Sequence, residues 1–290
     1  MDRMLRDKKT IILFMAPAII IFTLVIPVPL AASVGLSFFK WDLLSDAKFV
    51  GMKNFIRLFT SDRVFITTVR NTFSYMFLSV LFQIPLAYCL SIFLTRGKRF
   101  EKLVRNTLFM PAVLSGTAVS LMFYFIYHPE VGLVNALLEL MGKPELSRFW
   151  LADENTAMVC VCIAVAWQFV GYHMLIYVTG IIAIPLDIIE AAKIDGANVW
   201  QLAVRVITPN MKPVLKVSLV LIMTSSFKSF DSIYVMTGGG PAHTTEVMAS
   251  YMYNKAFLNL RYGYGCAVGL MLFVMCLLVS LAIQKALDAD

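Results

Sequence analysis

Six apolar runs dominate this chain, at 10–39, 68–95, 106–128, 155–184, 213–236 and 263–285. Each is long enough to cross a hydrocarbon layer of about 30 Å, which takes about 20 helical residues. The reading is an all-α polytopic membrane protein, with six transmembrane helices in a single domain over residues 1–290. Composition agrees: 59% of residues are hydrophobic, 15% are charged, and mean hydropathy is +0.77. A soluble domain of 290 residues needs far more polar surface. The first run extends well past signal-peptide length and has no small-residue cleavage site after a short apolar core, so it is expected to be a retained helix. It also exceeds what the bilayer requires, and Pro27 and Pro29 are expected to kink it.

The net charge of +7 is spread over short loops between apolar runs, which points to membrane orientation and not to nucleic acid. Arg3, Arg6, Lys8 and Lys9 precede the first run, and Arg96, Lys98, Arg99, Lys102 and Arg105 crowd the short loop after the second. This density predicts cytoplasmic N- and C-termini, with the 186–212 loop on the same side. Lys40, Lys48, Lys53, Arg57 and Arg63, in the first outer loop, run against that bias. Cys89, Cys160, Cys162, Cys266 and Cys276 all fall inside apolar segments, so neither a disulfide framework nor a metal site is expected.

Between the fourth and fifth runs lies a polar island, Glu190-Ala191-Ala192-Lys193-Ile194-Asp195-Gly196-Ala197, which continues to Pro209. Residues 187–194 have good helix formers and early acidic residues, which suit the positive end of a helix dipole. Gly196 can supply a left-handed stop. A second helix is expected over 197–206, ended or bent by Pro209. Ala191, Ala192 and Ala197 are small enough for another protein to approach closely, and Trp200 and Leu202 offer apolar anchors. Local physics alone also allows an ordinary loop with an interfacial helix.

The spacing is particular: Glu-Ala-Ala, three residues, Gly196, nine residues, then Val206-x-Thr208-Pro209. It resembles the EAA loop of permease subunits in binding-protein-dependent ABC importers. Val206, Thr208 and Ala203 depart mildly from that family's usual pattern. The resemblance implies that Glu190, Ala191, Ala192, Asp195, Gly196 and Ala197 contact an ATPase subunit, as a coupling hairpin on the cytoplasmic side. The chain has no G-x-x-x-x-G-K-[ST] phosphate loop, so it is expected to be no enzyme and to hold no cofactor, with ATP hydrolysed by a partner.

A second motif follows the fifth run: Met236-Thr237-Gly238-Gly239-Gly240-Pro241-Ala242. Three glycines and a proline make a tight turn with positive φ available. With Phe230-Asp231 before it and Tyr253-x-x-Ala256-Phe257 after it, this stretch resembles the maltose-type first permease of sugar importers. That resemblance spans nearly the whole chain. It implies a bacterial-type inner-membrane location, a second homologous permease, a cytoplasmic ATPase dimer and an extracytoplasmic solute-binding protein. The binding protein is expected to dock near Gly238, Gly239, Gly240 and Pro241.

Within the fifth run Ser218, Ser225, Ser229 and Ser232 recur at helical spacing, with Ser226 adjoining. Such a stripe serves either close helix packing or a polar path, and hydroxyls suit a sugar because they both donate and accept. Lys228 and Asp231, three apart on a continuous helix, are placed to pair, or to act as a gate or substrate contact. Phe227, Phe230 and Tyr234 are spaced to offer ring faces or to pack. In the fourth run Trp167, Gln168, Gly171, Tyr172 and His173 cluster, with His173 read as a hydrogen-bonded core residue. The family resemblance implies that Gln168, Tyr172, Ser225, Ser226 and Ser229 face the substrate, beside Lys228 and Asp231. Gly265-x-x-x-Gly269 marks a close-packing face, against this chain or a second permease.

Two other classes compete. An ion-coupled secondary transporter would favour interrupted helices in repeated topology, which the sequence does not display. A membrane enzyme would need clustered catalytic groups, yet His128, His173 and His243 are scattered and H-E-x-x-H is absent. The expected function is the translocation subunit of an ATP-driven importer for a sugar or oligosaccharide, with a glycerol phosphate ester as the alternative solute.

Overall fold

The computed structural model describes residues 8–95 and 101–288. Arg3, Arg6, Arg96, Lys98 and Arg99, on which the orientation argument leans, lie outside the described residues. In chain order the helices are α1 (Lys8–Val25), α2 (Pro27–Leu36), α3 (Lys53–Thr60), α4 (Arg63–Leu94), α5 (Glu101–Val113), α6 (Gly116–Ile126), α7 (Leu133–Leu140) and α8 (Ala157–Ile182). They continue as α9 (Leu186–Ile194), α10 (Val199–Gln201), α11 (Thr208–Asn210), α12 (Lys212–Phe227), α13 (Asp231–Met236), α14 (Met248–Tyr253) and α15 (Tyr262–Asp288). A π-helical stretch, Leu202–Ile207, joins α10 to α11, and another, Asn254–Leu258, follows α14. Two short strands, β1 (Phe39–Lys40) and β2 (Lys48–Phe49), pair antiparallel with Phe39 opposite Phe49.

Among the described residues, four helical stretches are long and apolar enough to cross a membrane singly: Ile11–Leu36, Arg63–Leu94, Ala157–Ile182 and Tyr262–Ala286. Two further spans are bent pairs, which makes up to six in all. Lys102–Val113 and Gly116–Ile126 meet at 98°, so the third expected run is not one straight helix. Pro111 removes a backbone donor in the last turn of α5, and Ser115 is extended (φ −59°, ψ 133°), which turns the chain. Val199–Asn210 and Lys212–Phe227 meet at 75°. Here Pro213 has no N–H to reach back to the Pro209 carbonyl, so the bend falls at Met211 and not at Pro209. The fifth expected run is also interrupted. The helix stops at Phe227 and resumes at Asp231.

The described residues form two compact units. One holds those up to Arg63 together with Met252–Phe273. In it, a turn at Ile26 separates α1 from α2, with Pro27 opening α2. Hydrogen bonds from Ile26 N to the Phe22 carbonyl (3.0 Å) and from Leu30 N to the Ile26 carbonyl (3.1 Å) carry the ladder across. The expected proline effect is thus an interruption inside a single span of 26 residues. Asn54 of α3 donates to the Ser37 and Phe39 carbonyls, at 2.8 and 3.0 Å, fastening α3 under the strands. A Cβ on Gly265 would stand 2.6 Å from Ala256 Cβ, and one on Gly269 would stand 2.9 Å from Met252 Sδ. The G-x-x-x-G face therefore packs within this chain, against the segment that starts at Met252.

The other unit holds Val64–Tyr251 and the residues from Val274. Its centre is α8, apolar all round and buried along most of its length, as a helix must be when neighbours surround it. α5 packs along it, and α13 packs on α6. A continuous cluster of buried residues runs from Ala87 and Leu94 of α4 through Met174, Tyr177 and Ile181 of α8 to Leu202, Ile207 and Met211. This core binds the membrane helices to the polar loop that follows α8.

Candidate functional site

A cavity of about 700 Å³ opens among α4, the α5–α6 bend, α8 and the α12–α13 break. Gln168, Tyr172, Ser225, Ser226, Lys228, Ser229 and Asp231 all line it, so the structure brings every residue of the expected path to one wall. Two local features do this. Val165, Gln168, Phe169 and Tyr172 share one face of α8 at i, i+3, i+4 and i+7. The α12–α13 break then turns Lys228, Ser229 and Phe230 out of the helix ladder and onto the cavity surface.

The break also changes what these residues do. Lys228 and Asp231 do not form an ion pair, because they are not on one helix. Both are exposed within the cavity; the Asp231 carboxylate instead lies beside the first residue of α6, 3.5 Å from where a Cβ of Gly116 would sit. A carboxylate suits that helix terminus electrostatically. The expected serine stripe divides as well. Ser218 is buried away from the cavity, accepting from Tyr177 Oη (2.7 Å) and bonding His173 Nδ1 at 2.8 Å. Ser218 thus joins the phenol of Tyr177 and the imidazole of His173 in one buried chain of hydrogen bonds. His173 is buried as expected, but it also lines the cavity. Ser225 and Ser226 donate back to the Ile222 carbonyl, and Ser229 donates to Tyr75 Oη at 2.9 Å.

Gln168 is buried and donates from Nε2 to the Leu114 carbonyl (3.1 Å), tying α8 to the α5–α6 bend. Phe227 is not an available ring face: it is buried and meets Phe73 edge-on. Phe230 lines the cavity and stacks on Tyr234, with centroids 5.0 Å apart. Trp167 packs against Phe123 and does not line the cavity. The sequence reading missed a whole wall, Tyr75, Ser79 and Gln83 of α4. Its signal was present as polar residues four apart in an apolar run, continued upstream by Asn71.

The turn after α13 is tightly held. Gly238 and Gly239 have φ of +60° and +90°. Thr237 Oγ1 and Thr245 Oγ1 are 2.7 Å apart, and Thr245 also donates to the Gly240 carbonyl. Asn71 donates to the carbonyls of His243 and Glu246, anchoring the turn to α4. Gly238 is exposed, Gly240 and Pro241 are half-buried, and Gly239 is buried against Glu246.

Past α8, residues 186–210 form two helical arms around Gly196, at φ +80°. Ala197 N bonds the Ala192 carbonyl and Gly196 N bonds the Lys193 carbonyl, the paired bonds of a Schellman stop. The second arm begins at Val199, later than expected, because Asn198 caps it: Asn198 Oδ1 accepts from Gln201 N while Gln201 Oε1 accepts from Asn198 N. Glu190, Ala191, Asp195 and Gly196 are exposed; Ala192 and Ala197 are half-buried, with Ala192 packed on the core. Ile194 and Trp200 are 85% and 75% exposed, bare apolar groups at the tip. Leu202, expected as a second anchor, is buried in the chain's own core. At the base, the π-helical stretch turns the Ala203 carbonyl toward Thr208, whose N–H and Oγ1 both donate to it. Tyr88 of α4 reaches the same pair, at 2.6 Å from Thr208 Oγ1 and 3.2 Å from the Ala203 oxygen.

Comparison with known proteins decides what this arrangement belongs to. The family described as the binding-protein-dependent transport system inner membrane component matches residues 9–290. The chain is a member of that family. The permease is 36% identical over 276 residues to YurN of Bacillus subtilis, a probable ABC transporter permease, covering 94% of each chain. It is 29% identical to the arabinooligosaccharide transport permease AraP of the same organism, over 98% of this chain and 90% of AraP. Its fold matches a chain from a bacterial ABC transporter that imports the acidic polysaccharide alginate, with a TM-score of 0.84, 23% identity and 99% of both chains covered. An ABC permease of this family is a transport subunit of the inner membrane and not an enzyme.

Proposed function

We propose that this permease forms, with a second homologous permease, the path by which a sugar or oligosaccharide crosses the inner membrane. The observation that carries the reading is the cavity wall. It combines the amides of Gln83 and Gln168, several hydroxyls and the rings of Tyr172 and Phe230 around one lysine and one aspartate. Neutral donors and acceptors with aromatic faces suit a polyhydroxyl solute. AraP and the alginate transporter both handle carbohydrate polymers or oligomers, which supports the same class.

In this reading both termini are cytoplasmic and the arms around Gly196 seat in a cytoplasmic ATPase of a two-ATPase engine. Exposed Glu190, Ala191, Asp195 and Gly196, with Ile194 and Trp200, supply the contact surface. Movement of the ATPases would reach α4 through Tyr88 and reach α8 through the shared core. The outer turn, at Gly238 above all, would meet the loaded binding protein. The test is affinity purification of the tagged permease from native membranes with mass spectrometry of what accompanies it. Recovery of an ATPase and a second permease supports the reading; a lone chain or a homodimer under gentle extraction counts against it.

A further inference from the structure

The cations that run against the positive-inside trend gather in one place. Lys40, Lys48, Lys53, Arg57 and Arg261 line a second cavity of about 600 Å³ in the unit that contains α3. Two acids, Asp42 and Asp46, share it. Asp42 is committed to the strand turn, where its carboxylate accepts from the N–H groups of Leu44 and Ser45 and from the Ser45 hydroxyl. Among the described residues, none of the five cations has an acid within ion-pairing distance, and Arg57 instead lies over the Tyr264 ring at 5.5 Å. Five basic groups around one cleft, unneutralised by the fold, repel one another unless an anion joins them.

The depth of the cleft follows from its place in the chain. The first span ends at Leu36 and the last begins at Tyr262. The cleft starts at Lys40, just after the first span, and closes at Tyr264, in the first turn of the last. It therefore lies level with the lipid headgroups on that side of the membrane. Exposed apolar groups alternate in sequence with its lining: Leu44, on the cleft, is 87% exposed, Phe49 is 71% exposed, and Met52, Ile56 and Phe59 are exposed on and before α3. α3 thus buries Phe55 and Leu58 inward, turns Ile56 and Phe59 outward, and holds Lys53 and Arg57 on the cleft. Apolar groups bordering cations on a short amphipathic helix are the pattern of a segment lying in the membrane interface. Trp41 lines the cleft near Tyr262, two rings of the kind that settle at that level. A docking site for a soluble acidic protein would be rimmed by polar groups.

We propose that this cleft binds the headgroup of an anionic phospholipid, with Lys53 and Arg57 on the phosphodiester and Lys40, Lys48 and Arg261 closing around it. The proposal rests on the membrane fold and not on the transported solute.

The test is native mass spectrometry of the delipidated full chain, purified with its co-extracted subunits, titrated with phosphatidylglycerol or phosphatidylcholine. The wild type is expected to bind phosphatidylglycerol at least about tenfold tighter. Lys53→Gln/Arg57→Gln is expected to weaken that binding about fivefold per cation removed, with phosphatidylcholine binding unchanged. Lys40→Gln/Lys48→Gln serves if the first variant folds poorly, and Lys53→Arg/Arg57→Lys is expected to retain the affinity. Neutralising Lys143 and Arg148, outside the cleft, should leave it intact. Wild-type phosphatidylglycerol affinity in both neutralised variants overturns the proposal. So does displacement of the lipid by equimolar glycerol 3-phosphate, which would make this a free-phosphate site. Unchanged lipid binding with loss of solute-binding-protein association would reassign the cleft to docking.

Discussion

Lys228 and Asp231 stand three residues apart in a membrane-embedded stretch and do not pair, because the helix that would align them ends at Phe227 and restarts at Asp231. The break leaves a positive and a negative group as separate features of one cavity wall. It also removes the ion pair that the three-residue spacing allowed.

Independence of the two charges is testable. Lys228→Gln and Asp231→Asn are each expected to lower solute uptake, and the double variant should be at least as impaired as the worse single. Paired charges would behave otherwise, since removing both would relieve the stranded partner. Uptake in the double variant that exceeds both singles would restore the pair.

Ser229 tests the cavity. Its hydroxyl meets Tyr75, and a phenyl ring at this position would project into the space that a solute must occupy. Ser229→Phe should block uptake while leaving membrane insertion and subunit assembly intact. Ser229→Ala should retain most transport and lose only about 1 kcal/mol of stability with the hydrogen bond. Normal uptake in Ser229→Phe would reduce this wall to packing.

Gly196 separates strain from contact. At φ +80° any other residue strains the turn by about 1 kcal/mol, but a Cβ there meets nothing within 4 Å. Gly196→Ala should therefore assemble with slightly weakened coupling. Gly196→Asp should lose ATPase co-purification, because the added charge meets a partner and not this chain. Co-purification of the ATPase with Gly196→Asp at wild-type yield would end the coupling assignment.

Tyr88 is expected to transmit between α4 and the arms around Gly196. Tyr88→Phe removes the bond to Thr208 while keeping the ring that meets Tyr177 edge-on. Stability should fall by about 1 kcal/mol, and transport-stimulated ATP hydrolysis should fall more than basal hydrolysis. An equal fall in both rates would assign Tyr88 a structural role only.

Ser218 carries a different load. Ser218→Ala strands Tyr177 Oη and His173 Nδ1 in a buried site, at a cost of about 1–3 kcal/mol. Thermal unfolding of the purified complex reads this directly, and an unchanged midpoint would mean that water or a new partner replaces the serine.

The sequence alone determined that α4, α8 and α15 are long and apolar enough to cross a membrane, because a long apolar run has few other stable fates in a lipid solvent. It also determined the stop at Gly196, since a left-handed turn after good helix formers is a local event. Tertiary structure decided where the spans bend and what the bends expose. Hydropathy averages composition over a window and is blind to direction, so the 98° turn before Gly116 and the gap before Asp231 left little trace in it. Those two breaks aim Lys228, Ser229 and Asp231 at the cavity and split the serine stripe between packing and wall, while Leu202 and Phe227 go into buried packing that helical spacing alone does not reveal. A helical spacing says which side chains share a face only while the helix is continuous, and its continuity here is set by packing against α6 and α8.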